Sequence, residues 1–229
     1  MAETVLIAPA DSPLGTALVE QATEQGLQVI AAVRPEEALS KKDTTGTDSN
    51  SEESARVLKL PWNRRSLLSA RNLLLEGLNA FEDIEKAIIL HIAEADAKPL
   101  HELPPVSIET VVDSRIKSPL FLIKALIQYY LRRKEGILAF ALYEPASVPL
   151  TALAASASAG FKALVASLLG IYQNEDFTIN GYTSHSEEPE GYATFILHSL
   201  TGRAKQTTGK WFRHNTNPLQ ALSRGRRQT

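Results

Sequence analysis

The chain has 229 residues, 44% of them hydrophobic and 22% charged, and its 24 Lys and Arg against 26 Asp and Glu leave a formal net charge of −2. That balance offers no global attraction to phosphate backbones or anionic bilayers, so neither nucleic acid nor a membrane is expected as a partner. The absence of cysteine excludes thiol catalysis, thiolate metal sites and disulfides, and no His, Asp or Glu spacing suggests a metal. Apolar runs such as Ala87 to Leu90 fall short of the roughly 18 residues of a bilayer span, which predicts a soluble, cytoplasmic protein. The length suits one domain, residues 1–229, burying about 70% of the surface that its unfolded form exposes.

Thr4 to Ala8 (TVLIA) is a β-branched apolar run that reads as a strand. A Pro/Asp/Ser/Gly turn follows, then Thr16 to Gln25, whose Ala17, Leu18 and Ala22 recur at helical spacing. Gly26 is placed to end that helix, and Leu27 to Val33 runs continuously apolar, as strands covered on both faces do. The tract 40–54 is almost without apolar residues and is expected to be an inserted polar loop. Strand and helix signals resume at Arg56 to Leu60, Ser66 to Ala80 and Lys86 to Ile92. Val106 to Arg133 reads as one long helix, bent at Ser118-Pro119 because proline deletes a backbone donor. Gly136 to Leu142 is a buried strand and Leu153 to Tyr172 a helix rich in Ala, Leu, Gly and Ser. Phe177 to Tyr182, Tyr192 to Leu200 and Lys210 to Arg213 complete the series as strand, helix and strand, before a basic tail, 223–229, that is expected to fray. Strands alternating with helices along the whole chain predict a doubly wound α/β architecture of about seven mostly parallel strands in three α/β/α layers.

The opening Val5 to Gly15, Arg34 closing the second strand, Lys162 in a small-residue helix, Asn180 near the sixth strand and Thr208-Gly209 before the last follow a familiar order. From about Thr4 to Arg213 the chain resembles the short-chain dehydrogenase/reductase family. The resemblance implies a Rossmann-type fold and an NAD(P)-dependent oxidoreductase. It also implies a phosphate turn in which glycines admit the pyrophosphate and the following helix N-terminus binds its charge. Against the family's Thr-Gly-x-x-x-Gly-x-Gly, residues 8–15 read APADSPLG. Pro9 and Pro13 occupy glycine positions, and Asp11 brings a negative charge to where a phosphate would sit. Ser12, Leu14 and Gly15 are the candidate cofactor contacts here; alternatively the turn only joins strand to helix, with Ser12 capping and Gly15 allowing close packing. Arg34 is either a contact for the 2′-phosphate of NADP or an arginine paired with Glu36 or Glu37. The family's Asn-Asn-Ala-Gly aligns with His91 to Glu94, which keeps Ala93 as a candidate contact and puts Glu94 at the glycine. His91 is either a polar active-site group or a core histidine. NADP is therefore the possible cofactor, bound weakly or not at all.

In the family a tyrosine transfers the proton and a lysine four residues later lowers its pKa and holds the ribose. Lys162 matches the lysine, but the tyrosine position is Ser158, whose hydroxyl one lysine cannot bring into a useful range, so the ordinary chemistry is expected to be absent. The family's serine and asparagine positions fall near Ala141-Leu142 and Arg115. Tyr143, at a strand exit, either stands in for the tyrosine with its oxygen toward Lys162 or simply packs. Ser184, His185, Glu187, Glu188 and Glu190 crowd one short segment, which is unlike a hydrolase triad drawn from separate elements. Two functions stay open: a divergent oxidoreductase, and a non-catalytic Rossmann scaffold that binds a protein or small ligand. The family assembles through two long helices. Here Ala155, Ala159, Ala163 and Ala166 on one, and Leu122, Ala125, Leu126 and Tyr129 on the other, form stripes that either bury themselves in a homodimer or tetramer or face the sheet.

Overall fold

Seven apolar runs become the strands of one sheet: β1 (Thr4–Ala8), β2 (Gln28–Val33), β3 (Val57–Pro61), β4 (Lys86–Ile92), β5 (Ile137–Tyr143), β6 (Thr178–Ser184) and β7 (Lys210–His214). The computed structural model describes residues 2–39, 56–94, 98–201 and 207–214. The polar tract 40–54 and the tail 223–229 lie outside the described residues. The strand order is β3-β2-β1-β4-β5-β6-β7 and all six pairings are parallel, so the Rossmann-type, doubly wound α/β fold is present with the expected seven strands. β1 lies inside the sheet, Val5 level with Val29 of β2 on one side and with Lys86 of β4 on the other.

The helices are α1 (Pro13–Glu24), α2 (Pro35–Leu39), α3 (Leu67–Phe81), α4 (Pro105–Val111), α5 (Ser118–Arg133), α6 (Ala152–Tyr172) and α7 (Pro189–Thr201). α1 and α7 cover one face of the sheet; α3, α5 and α6 cover the other. Strand alternation distributes the core between them. On β5, Leu138, Phe140 and Leu142 join the α3/α5/α6 side, while Ala139, Ala141 and Tyr143 join the α1/α7 side.

The stretch read as one long helix is interrupted one turn earlier than expected. After α4 the backbone widens into a π-helical segment, Val112–Lys117, and α5 starts at Ser118. Pro119 therefore follows the π-helical segment directly, in the first turn of α5. α2 and a 3-10 turn at Leu100–Glu102 were too short to give a periodic signal.

α6 is apolar beyond what its sheet contacts use. Ala154, Ala157, Ser158, Phe161, Val165 and Leu169 are buried, whereas Ala159, Ala163, Ala166 and Ile171 are exposed. By length and composition alone it is long and apolar enough to cross a bilayer, at a mean hydropathy of 1.6 over a window that is 33% buried. A search for uninterrupted apolar runs passes over it because Ser, Gly and one Lys break the run. On α5, by contrast, Leu122 and Leu126 are fully buried against the sheet, which removes them from the outward stripe expected there.

Candidate functional site

The strand order reverses where β1 lies between β2 and β4, and ligands of open α/β sheets bind outside the carboxyl ends of the strands at such a point. A cavity of about 300 Å³ opens there. Its walls come from the ends of four parallel strands: Pro9, Asp11 and Ser12 after β1, Arg34 after β2, Trp62 and Arg64 after β3, and His91 and Glu94 at the end of β4. Ser114 and Arg115 of the π-helical segment close the far side.

The turn from β1 to α1 satisfies its own polar groups. Ser12 is extended (φ −139°) and its Oγ accepts a hydrogen bond from the Gly15 N–H at 3.0 Å, the geometry of an N-cap. Pro13 occupies the first helical position and has no N–H to offer. A Cβ on Gly15 would lie 2.6 Å from the Pro9 carbonyl oxygen and 2.7 Å from the Ala10 Cα, so the turn itself requires glycine here. Leu14 is fully buried in the core beneath α1 and α7, which leaves its side chain no part in contacting a ligand.

Asp11 is the most constrained charge in the cavity. Its side chain is 2% exposed; one carboxylate oxygen meets Arg34 Nε at 2.6 Å and the other the guanidinium of Arg64. The Arg64 guanidinium in turn lies 5.6 Å from the Trp62 ring centroid, a cation–π arrangement. Arg34 thus has an acidic partner in Asp11, which the choice between Glu36 and Glu37 had not included. On the opposite wall the Arg115 guanidinium pairs with the Glu94 carboxylate and reaches the Glu94 carbonyl oxygen at 3.4 Å. Three arginines face two carboxylates.

His91, which lines the cavity, meets Ser158 of α6. His91 Nε2 is 3.1 Å from Ser158 Oγ, and the ring stacks on Phe161 with centroids 5.0 Å apart. Both residues are buried. Burial, followed by the positive charge of Arg115, pushes the imidazole pKa down from 6.5 to about 4, so His91 is neutral near pH 7. His91 therefore combines the two roles weighed for it: it is buried and hydrogen-bonded, and it also lines the cavity.

Ser158 and Lys162 share α6, but only Ser158 turns inward. Lys162 is exposed, and neither belongs to the cavity wall among the described residues. Tyr143 is a correction. Alternation along β5 sends it to the α1/α7 side, where it stacks on Tyr192 with centroids 5.7 Å apart, so the sheet separates it from the side of Ser158 and Phe161. Burial, then the nearby Glu187 and Glu190, raise its phenol pKa further from usefulness. Ala93 is buried and its N–H donates to the Tyr143 carbonyl oxygen at 2.9 Å, so that donor is already committed to the strand ends. Asn180 holds the approach to β7 by donating to the Thr207 carbonyl oxygen at 2.6 Å and accepting from the Lys210 N–H at 3.0 Å.

The Ser, His and acidic residues of 184–190 do not form a triad. Ser184 Oγ bonds to His214 Nδ1 at 3.0 Å, His185 Nδ1 to the Glu144 carbonyl oxygen at 3.0 Å, and Glu187 to Ser147 at 2.5 Å. Among the described residues no group of three His, Asp or Glu side chains is placed to hold a metal ion. Sequence reasoning missed Trp62 and Arg64. The available signal was their position just past the third strand, because the carboxyl ends of parallel strands all lie along one edge of the sheet.

No protein-family description matches the chain, and no curated protein resembles it in sequence. Solved structures do. A 3-ketoacyl-(acyl-carrier-protein) reductase from Brucella melitensis complexed with NADH superposes with a TM-score of 0.75 at 10% identity, over 92% of this chain and 96% of that one. A metagenomic short-chain oxidoreductase in complex with NADP gives 0.75 at 15% identity, over 93% and 98%. A short-chain dehydrogenase from Leptospira borgpetersenii with bound NAD+ gives 0.72 at 13% identity, over 93% and 91%. At such identities the likeness establishes a shared fold.

Proposed function

We propose that this chain is a divergent short-chain dehydrogenase/reductase, soluble and cytoplasmic, that has given up the family's tyrosine chemistry and serves as a ligand-binding Rossmann scaffold. The observation that carries the reading is the buried His91–Ser158 hydrogen bond. At the position where the family needs a titratable phenol beside a cation stands an aliphatic hydroxyl, and its neighbour is an imidazole with a pKa of about 4. A base that weak, beside a hydroxyl that is not acidic, is poorly matched to proton transfer at neutral pH.

The dinucleotide that the family would use does not fit the residues present. The Gly15 N–H is committed to Ser12, Pro13 supplies none, and Asp11 and Glu94 bring negative charge to the cavity. Weak or absent NADP binding follows. A second reading, an NADP-dependent reductase with another proton donor, draws on Arg34, Arg64 and Arg115, which face the same cavity. Titration with NADPH and NADH, followed by nicotinamide fluorescence, together with a panel of carbonyl substrates, separates the two. No saturable binding and background turnover are expected; low-micromolar NADPH affinity with turnover would overturn the first reading. The scaffold is further proposed to be a homodimer or tetramer that covers the exposed apolar side of α6.

A further inference from the structure

We infer that Asp11 is an intramolecular counter-anion, a specificity-determining carboxylate that fills the arginine pair at the switch point and so denies it to phosphate. The inference rests on the reading above, that dinucleotides bind weakly, and names the residue responsible. Asp11 follows β1, Arg34 follows β2 and Arg64 follows β3, so a single carboxylate ties together the ends of three adjacent strands. With 2% exposure the carboxylate has lost almost all of its water, and among the described residues the two guanidinium groups compensate it. The clamp is incomplete on the cationic side: Arg64 Nε is buried without a hydrogen-bond partner.

Removing the carboxylate leaves the partly buried Arg64 and the exposed Arg34 without the anion they share, a vacancy of negative charge that an added anion can fill. Glu20, Glu37 and Glu190 line the outer groove beside α1, so such an anion is favoured on the arginine side alone.

The probe is inorganic pyrophosphate, titrated by calorimetry and thermal melting into wild type, Asp11→Asn and Asp11→Gly. Both variants are expected to bind pyrophosphate roughly tenfold tighter than wild type or better, as the recovery of one charge-assisted contact implies. Their melting temperatures rise with the anion while that of wild type does not, and adding Arg64→Ala to Asp11→Asn removes the gain. Folded variants that bind no better than wild type overturn the inference. Should neither variant fold alone, refolding with and without millimolar pyrophosphate decides: recovery only with the anion supports the inference, and recovery in neither overturns it. A parallel NADPH titration of wild type keeps the two claims apart. Tight NADPH binding with turnover by wild type defeats the proposed function, whereas absent NADPH binding with no gain in the variants defeats only the role of Asp11.

Discussion

Lowering the pH should unfold this protein through His91. In the folded chain the imidazole titrates near 4, held down by burial and by Arg115, while in the unfolded chain it titrates near 6.5. Between those values the unfolded state binds a proton that the folded state refuses, so stability is fully present above pH 6.5 and is lost progressively as the pH falls toward 4. The gap between the two values is worth about 3 kcal/mol, a large fraction of the stability of an ordinary domain. The perturbation that isolates it is His91→Asn, which keeps a polar partner for Ser158 but does not titrate. Urea denaturation, followed by the fluorescence of Trp62 and Trp211 at steps from pH 7.5 to 4, gives the stability of both proteins. The difference between them should shrink toward acid by about 3 kcal/mol, because wild type alone carries the penalty. Burial lowers the pKa of His214 too, but that contribution is common to both proteins and cancels. Two parallel curves would refute the reasoning, since they would mean that His91 takes up its proton in the fold as readily as in water.

Ser158→Ala leaves the buried His91 Nε2 without its partner and should lower stability by about 1–3 kcal/mol, read as a drop in urea midpoint at constant m-value. Gly15→Ala forces a Cβ to within 2.6 Å of the Pro9 carbonyl oxygen and should cost about 2 kcal/mol, seen as a lower melting temperature; an unchanged one would show that the turn yields. Light scattering is expected to give a multiple of 25.0 kDa, and Ala159→Arg, on the exposed side of α6, should return the monomer mass without lowering the melting temperature of the isolated fold.

The fold was legible because each apolar run carries its own signal. TVLIA and KAIILHI have no alternation to reconcile, and strands buried on both faces in a parallel sheet are what such runs become. The site was less legible for two physical reasons. Direction is lost when a residue is placed only by its element: Tyr143 and Leu142 share a strand end, yet the pleat sends them to opposite cores. Counting alternation from Phe140 would have exposed this. Pairings across the sheet edge also have no signature along the chain. Asp11 and Arg64 are 53 positions apart, and His91 and Ser158 are 67 apart. The π-helical segment was invisible because its residues, Val112–Lys117, have ordinary helix propensity; only the hydrogen-bond register distinguishes them.

The place of β1 in the sheet also sets a clock. Its five buried residues are synthesised before the other six strands, pair with β2 after a short helical crossover, and then need β4, whose first partner residue is Lys86. At about 5–20 residues per second the second edge of β1 stays open for roughly 4–16 s of synthesis before that partner exists. During that interval an apolar, β-branched strand presents unpaired amides to whatever else is nascent, and loop-closure entropy makes such non-local pairing slow even once the chain is complete. Synonymous changes that slow translation between the codons for residues 34 and 86 would lengthen this exposure, and the yield of folded protein should fall with them although the finished sequence is the same.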